Sequence, residues 1–130
     1  MEGRRRIASG SPYERMIGFS RAVVVGDTIH VSGTAPVMAD GADPPPDAYG
    51  QARRCLEIIV EALREAGAGP EHVVRTRTFL TSPADWEEIG RAHGELFADV
   101  RPASTMVVAQ LLDPRWLVEI EADAILPPAR

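Results

Sequence analysis

The sequence contains no lysine and no asparagine, and all 14 of its basic side chains are arginine. Without lysine the chain cannot form an internal aldimine, anchor pyridoxal phosphate or supply a phosphate-loop lysine. A single cysteine, Cys55, leaves no partner for an intramolecular disulfide and none for a CxxC zinc or redox motif. Apolar runs fall well short of the ~20 residues that span a bilayer. After the three arginines of residues 4–6, Ile7-Ala8-Ser9-Gly10-Ser11-Pro12 does not make the apolar stretch of an export signal, so a cytoplasmic protein is expected. No HxxxH or HExxH spacing points to a metal, and neither a GxSxG elbow nor a dinucleotide-binding glycine motif is found. A net charge of −5 makes duplex nucleic acid and anionic membranes poor partners. The arginine cluster at residues 4–6 reads as a solvated terminus.

What remains is 130 residues with 45% hydrophobic and 25% charged content, suited to one globular domain with one core. Val23–Gly33 reads as a hairpin turning at Gly26-Asp27. Ala39–Asp47, with Gly41 and three consecutive prolines, reads as a loop. Ala52, Leu56, Ile59, Leu63 and Ala66 recur at helical spacing, predicting a helix from about Ala48 to Ala66 that Gly67 closes. Val73–Thr81 reads as a strand. Ser82-Pro83 then opens a second helix with an apolar stripe of Trp86, Ile89, His93, Leu96 and Phe97. Strands follow at Ser104–Leu111 and Trp116–Leu126, with the Asp113-Pro114 turn between them. The order is ββ-α-β-α-ββ, with room for a short strand in residues 4–9. This is an α+β domain, a mixed sheet with two helices on one face.

The last strand carries the most information. Val118, Ile120, Ala122 and Ala124 share one face, and Glu119, Glu121 and Asp123 share the other. Arg75 and Arg77 alternate in the same way beside Val73 and Phe79, and can pair with those carboxylates. The charged face is either solvated or packed against further subunits, with Phe79, Met106, Val108 and Trp116 as its apolar area. Cys55 reads as packing, and His93 as a structural histidine. Ser32-Gly33-Thr34, at a strand end, is either a plain turn or a cradle for a carboxylate.

Several short segments together resemble one family. They are Gly18-Phe19-Ser20-Arg21-Ala22-Val23, Gly26-Asp27, Val31-Ser32-Gly33, Gln51-Ala52, Ala66-Gly67, Val73-Val74-Arg75-Thr76, Arg101-Pro102-Ala103-Ser104-Thr105 and Val118-Glu119-Ile120-Glu121-Ala122. In this order, from Gly18 to Ala124, the chain resembles the reactive-intermediate deaminase (Rid, YjgF-like) family. The resemblance implies a chorismate-mutase-like fold over a single domain, residues 1–130. It also implies a homotrimer whose sheets form a central barrel, and clefts between subunits that bind small carboxylates or imines. Deaminating relatives hydrolyse enamines and imines to ammonia and a 2-keto acid without a cofactor.

Carried over by position, Ser32, Gly33 and the acidic Glu119 match the family, with Glu119 the expected catalytic group. Phe19 stands where a tyrosine is frequent, Gly90 where an asparagine is, and Met106 where a cysteine is. Ser104 stands where the arginine that grips the substrate carboxylate is expected. Losing a bidentate arginine–carboxylate contact forfeits on the order of 1.5–3 kcal/mol, so the chain resembles a branch with an altered substrate. Arg21 or Arg101 are the candidates to replace that charge. Two further readings follow from the same resemblance: a trimer that binds a ligand without turning it over, and an endoribonuclease, which the acidic balance disfavours.

Overall fold

In the last strand every second side chain is apolar, and that alternation sets the layering of the whole domain. The computed structural model describes residues 3–128. Its strands are β1 (Arg4–Ile7), β2 (Ala22–Val25), β3 (Thr28–Thr34), β4 (Val73–Leu80), β5 (Ala103–Val108) and β6 (Val118–Ile125), and its helices are α1 (Ala48–Glu65) and α2 (Trp86–Phe97). They form one six-stranded sheet in the order β1-β2-β3-β6-β4-β5, antiparallel throughout except for the parallel β4–β5 pair. Val118, Ile120, Ala122 and Ala124 are buried beneath the helices, while Glu119, Glu121 and Asp123 stand on the open face. The sheet is mixed and both helices cover one face, as the sequence indicates.

The α1 stripe Ala52, Leu56, Ile59, Leu63 and Ala66 is buried, and Cys55 packs with it at 0% exposure. Burial drives the Cys55 thiol pKa upward, with the Glu119 carboxylate adding to the shift. Gly67, at φ +94°, ends the helix, and the Ala68 N–H returns to the Leu63 carbonyl at 2.8 Å. Arg5 completes that cap. Its guanidinium donates to the carbonyls of Glu65 (3.2 Å) and Ala66 (2.9 Å), where the helix dipole is negative. The arginine cluster is therefore strand β1, with all three side chains exposed and Arg5 engaged at the helix end.

Three expectations need correcting. Trp86 is 58% exposed, because a 3-10 turn at Pro83–Asp85 precedes α2 and rotates its first residue out of the apolar stripe. Val73 is buried with the core instead of sharing a face with Arg75, since the β4–β6 register shifts between them. The fifth and sixth strands are shorter than the apolar content around them predicts, ending at Val108 and beginning at Val118. The intervening loop is held by Gln51 instead, which is 2% exposed. Its amide donates to the carbonyls of Pro45 (2.9 Å) and Arg115 (3.0 Å) and accepts from the Leu117 N–H (2.7 Å).

The two sheet edges differ. β1 guards one edge with three arginines. β5, Ala-Ser-Thr-Met-Val-Val, forms the other with every residue exposed and no charge. Replacing Gln51→Leu should lower unfolding stability by about 2–4 kcal/mol, because it strands a buried N–H and two carbonyls. Arg5→Ala, which removes a cap at the surface, should cost only about 0.5–1 kcal/mol. Urea unfolding of the two variants against the parent checks the order.

Candidate functional site

Where β3 passes β6, Val31 pairs with Ala122 and Thr34 with Ile120, so Ser32 and Gly33 together face the single residue between them, Glu121. This bulge turns the end of β3 and re-aims its side chains. The Ser32 hydroxyl donates to the Ser20 carbonyl at 2.6 Å, and its N–H donates to the Arg21 carbonyl at 2.9 Å. Both bonds pin the segment carrying Phe19 and Arg21. Phe19 follows a π-helical turn, Glu14–Gly18, and its ring is 36% exposed. Gly18, at φ +90°, supplies the left-handed step between them.

Glu119 reaches this bulge from β6. Its Oε2 lies over Gly33 so closely that any side chain at 33 would overlap it. Burial raises the Glu119 pKa above the usual carboxylate range, the Arg21 guanidinium opposes the rise, and Glu121 adds to it. Arg21 is held by the Thr34 hydroxyl at 2.6 Å and the Gly33 carbonyl at 3.3 Å. Burial lowers its own pKa, against the pull of Glu14 and Glu119. Its Nε is buried with no hydrogen-bond partner among the described residues. A groove of about 780 Å³ opens beside Phe19 and Arg21, with Tyr13, Met38, Ile58 and Trp116 among its walls.

Ser104, Met106 and Gly90 lie elsewhere. The β4–β5 register pairs Thr76 with Ser104 and Thr78 with Met106, which puts both β5 residues on the helix side of the sheet. The Thr76 hydroxyl donates to Ser104 Oγ at 3.0 Å and also meets His93 Nε2 at 2.8 Å. His93 stacks on Phe97 with ring centroids 4.7 Å apart, and burial lowers its pKa. Gly90 lies one turn earlier on α2, and a Cβ there would meet nothing within 4 Å. Arg101, just before β5, has a left-handed φ of 55° and is exposed.

The site residues singled out from the sequence thus form two groups within one chain. Phe19, Ser32, Gly33 and Glu119 gather with Arg21 at the bulge, whereas Ser104 and Met106 lie on the β5 edge and Gly90 stands on α2. Of the two candidate cations, Arg21 belongs to the Glu119 group. The sequence gives no sign of Thr76 or of the tie to His93, because strand, helix and edge strand meet only in the folded chain. A polar residue at an inward position of β4 was the one available signal.

The open face holds the expected arginine–carboxylate pairing. Arg77 Nη1 lies 3.3 Å from Glu121 and 3.2 Å from Asp123, and Asp123 also meets His30 at 2.8 Å. Arg75 instead donates to the Thr105 hydroxyl at 2.8 Å. Phe79 shares this face, whereas Met106 and Val108 do not, and Val107 takes their place by register. Trp116 lies before β6 on the groove wall. Among the described residues, no three His, Cys, Asp or Glu side chains are placed to hold a metal ion, and no helix is long and apolar enough to cross a membrane.

The sequence profile of the family described as Endoribonuclease L-PSP matches residues 11–126. A Streptomyces coelicolor protein, SCO2049, is 44% identical over 124 residues, 95% of this chain and 92% of its own. The RutC family protein y4sK of Sinorhizobium fredii is 33% identical over 105 residues, covering 80% of this chain and 83% of its own. Among solved structures, Rv2704 of Mycobacterium tuberculosis, described as a member of the YjgF/YER057c/UK114 family, superposes with a TM-score of 0.87 at 40% identity, covering 95% of this chain and 99% of that one.

Because the Glu119 pKa is raised on folding, its ionisation opposes the fold. Stability tied to this group is complete below the ordinary carboxylate pKa and is lost as pH rises through the raised value. Glu119→Gln should therefore match the parent in acid and be the more stable of the two at neutral pH, as pH-dependent urea unfolding would report. Gly33→Ala should push the carboxylate toward water at little cost in stability. A carbon-13 titration of Glu119 should then show its pKa falling back toward the ordinary range.

Proposed function

Because this chain belongs to the Endoribonuclease L-PSP (YjgF/YER057c/UK114) family, we propose that it acts as a homotrimer whose small-molecule clefts join the bulge of one protomer to the β5 edge of the next. The division of the site residues carries this reading. Glu119 stands on the open face and Ser104 and Met106 on the helix side, so the pocket closes only when a second copy supplies the missing half. The uncharged, exposed β5 edge supports it, since such an edge needs a cover. So does the open face, where Phe79 and Val107 lie among paired charges.

The chemistry that fits is hydrolysis of a C=N bond. Glu119, with its raised pKa, accepts a proton from water as the oxygen adds to the imine carbon and passes it to nitrogen, then carries the remaining hydroxyl proton to nitrogen as the C–N bond breaks and the C=O forms. Ammonia leaves and a carbonyl remains, so the step needs no cofactor. Arg21 steadies the Glu119 charge, and Ser32 and Gly33 fix the floor of the pocket. Ser104 in place of a guanidinium means that the substrate differs at that end from a simple imino acid. RNA cleavage fits less well, because the open face carries Glu119, Glu121 and Asp123 on a chain of net charge −5. A cytoplasmic setting agrees with one buried free thiol.

Sedimentation equilibrium should give three times the 14.1 kDa chain mass. Val108→Asp, which places a charge on the β5 edge, should shift the protein toward monomer. Ammonia release should be measured from freshly generated imines with and without a carboxylate. Turnover abolished by Glu119→Gln supports catalysis, and saturable binding without turnover would make the trimer a ligand sensor. A parent protein that sediments as a monomer would remove the shared cleft altogether.

A further inference from the structure

The hydroxyl of Thr76 is 0% exposed and sits between two partners, Ser104 Oγ at 3.0 Å and His93 Nε2 at 2.8 Å. A hydroxyl has one proton. With Thr76 donating that proton to Ser104, the imidazole is the donor in the other bond, with its hydrogen on Nε2. The chain of bonds then runs one way, from His93 through Thr76 to Ser104. Ser104 has its oxygen already occupied as an acceptor and its own O–H unspent, and its side chain is exposed.

Among the described residues, β4 and β6 place no cation on this face, and Arg101 lies exposed just before β5. Arg75 and Arg77 project from the other face, engaged by Thr105 and by Glu121 and Asp123. Arg91, on α2, lies over the Tyr49 ring with its guanidinium carbon 3.7 Å from the centroid. At the opposite half of the proposed cleft, Arg21 is balanced by Glu119 and held by Thr34 and Gly33. A carboxylate brought to Ser104 would lose its hydration without meeting an unshared positive charge from β4, β6 or α2, leaving only the exposed Arg101 before β5, whereas an uncharged acceptor loses far less.

We propose that His93, Thr76 and Ser104 form a hydrogen-bonded relay presenting a neutral donor to the cleft, and that the ligand meets it with an uncharged acceptor, a carbonyl, amide or imine group, in place of a carboxylate. The proposal rests on the reading that the β5 edge lines a cleft completed by a second copy. Ser104 is the residue that touches the ligand, while Thr76 and His93 are positioning residues that fix which way its hydrogen points. Bonds in series polarise one another, so the terminal hydroxyl is a stronger donor than a lone serine.

The full chain is to be tested with pyruvamide and pyruvate, which share a skeleton and differ in charge. Pyruvamide should bind at least about tenfold more tightly, and Ser104→Arg should reverse the order. Thr76→Val should weaken pyruvamide binding roughly tenfold. Thr78→Val, on the same strand face with a buried hydroxyl that has no partner among the described residues, should leave binding unchanged. His93→Gln, whose amide can still donate, should retain binding that His93→Leu loses. Nitrogen-15 shifts of the His93 ring should show hydrogen on Nε2 and none on Nδ1 in the ligand-free protein, a readout independent of any probe. Hydrogen on Nδ1 alone, or pyruvate bound by the parent as tightly as pyruvamide, overturns the proposal. If Ser104→Arg binds pyruvate while the parent binds neither probe, the cleft stands and the neutral-acceptor assignment falls. If no variant binds either probe and the protein is monomeric, the shared cleft itself is wrong and the relay has no ligand to serve.

Discussion

The two-residue repeat of β6 is the constraint on which the rest depends. Val118, Ile120, Ala122 and Ala124 can be buried only if helices cover their side, and that commits Glu119, Glu121 and Asp123 to the other. A one-residue slip would bring three carboxylates into the core, at a cost no pairing in this chain could offset. The register in turn sets Arg77 against Glu121 and Asp123. It also places Glu119, the one of these three carboxylates without a salt bridge, at the bulge where β3 bends away.

Much of this was legible from residue order. The α1 stripe, the Gly26-Asp27 hairpin and the two faces of β6 follow from periodicity and turn chemistry, because each depends on neighbours within a few positions. The failures share a cause. Trp86 fits a helical stripe on paper, yet a short 3-10 turn before the helix rotates it outward. Val73 fits the parity of Arg75 and Phe79 until a register shift breaks it. The arginines of β1 look like solvated charge until the end of α1, some sixty residues away, comes to lie against Arg5. Single irregular steps and distant partners leave no trace in a local pattern.

The candidate site residues could be named from the sequence, but their grouping in space could not. Glu119, Ser32 and Gly33 fall together because the bulge and β6 are hydrogen-bonded neighbours. Ser104 falls apart from them because parallel pairing with β4 fixes its side to that of Thr76. Parity along β4 and β5 is thus what divides the polar groups into an acidic half and a hydroxyl half. It also turns a serine that looks unremarkable in sequence into the end of a buried hydrogen-bond chain.

The unlike edges of the sheet have a consequence for the protein's life in dilute solution. β1 repels a stray strand with charge, whereas β5 offers six open residues with neither charge nor internal proline to deter one. Under the proposed assembly, a newly made copy without its cover is therefore a template for the wrong neighbour as well as the right one. Melting temperature should then climb with protein concentration by mass action, and the rate of encounter after synthesis, more than the depth of the folded well, would govern how much chain is lost to aggregates.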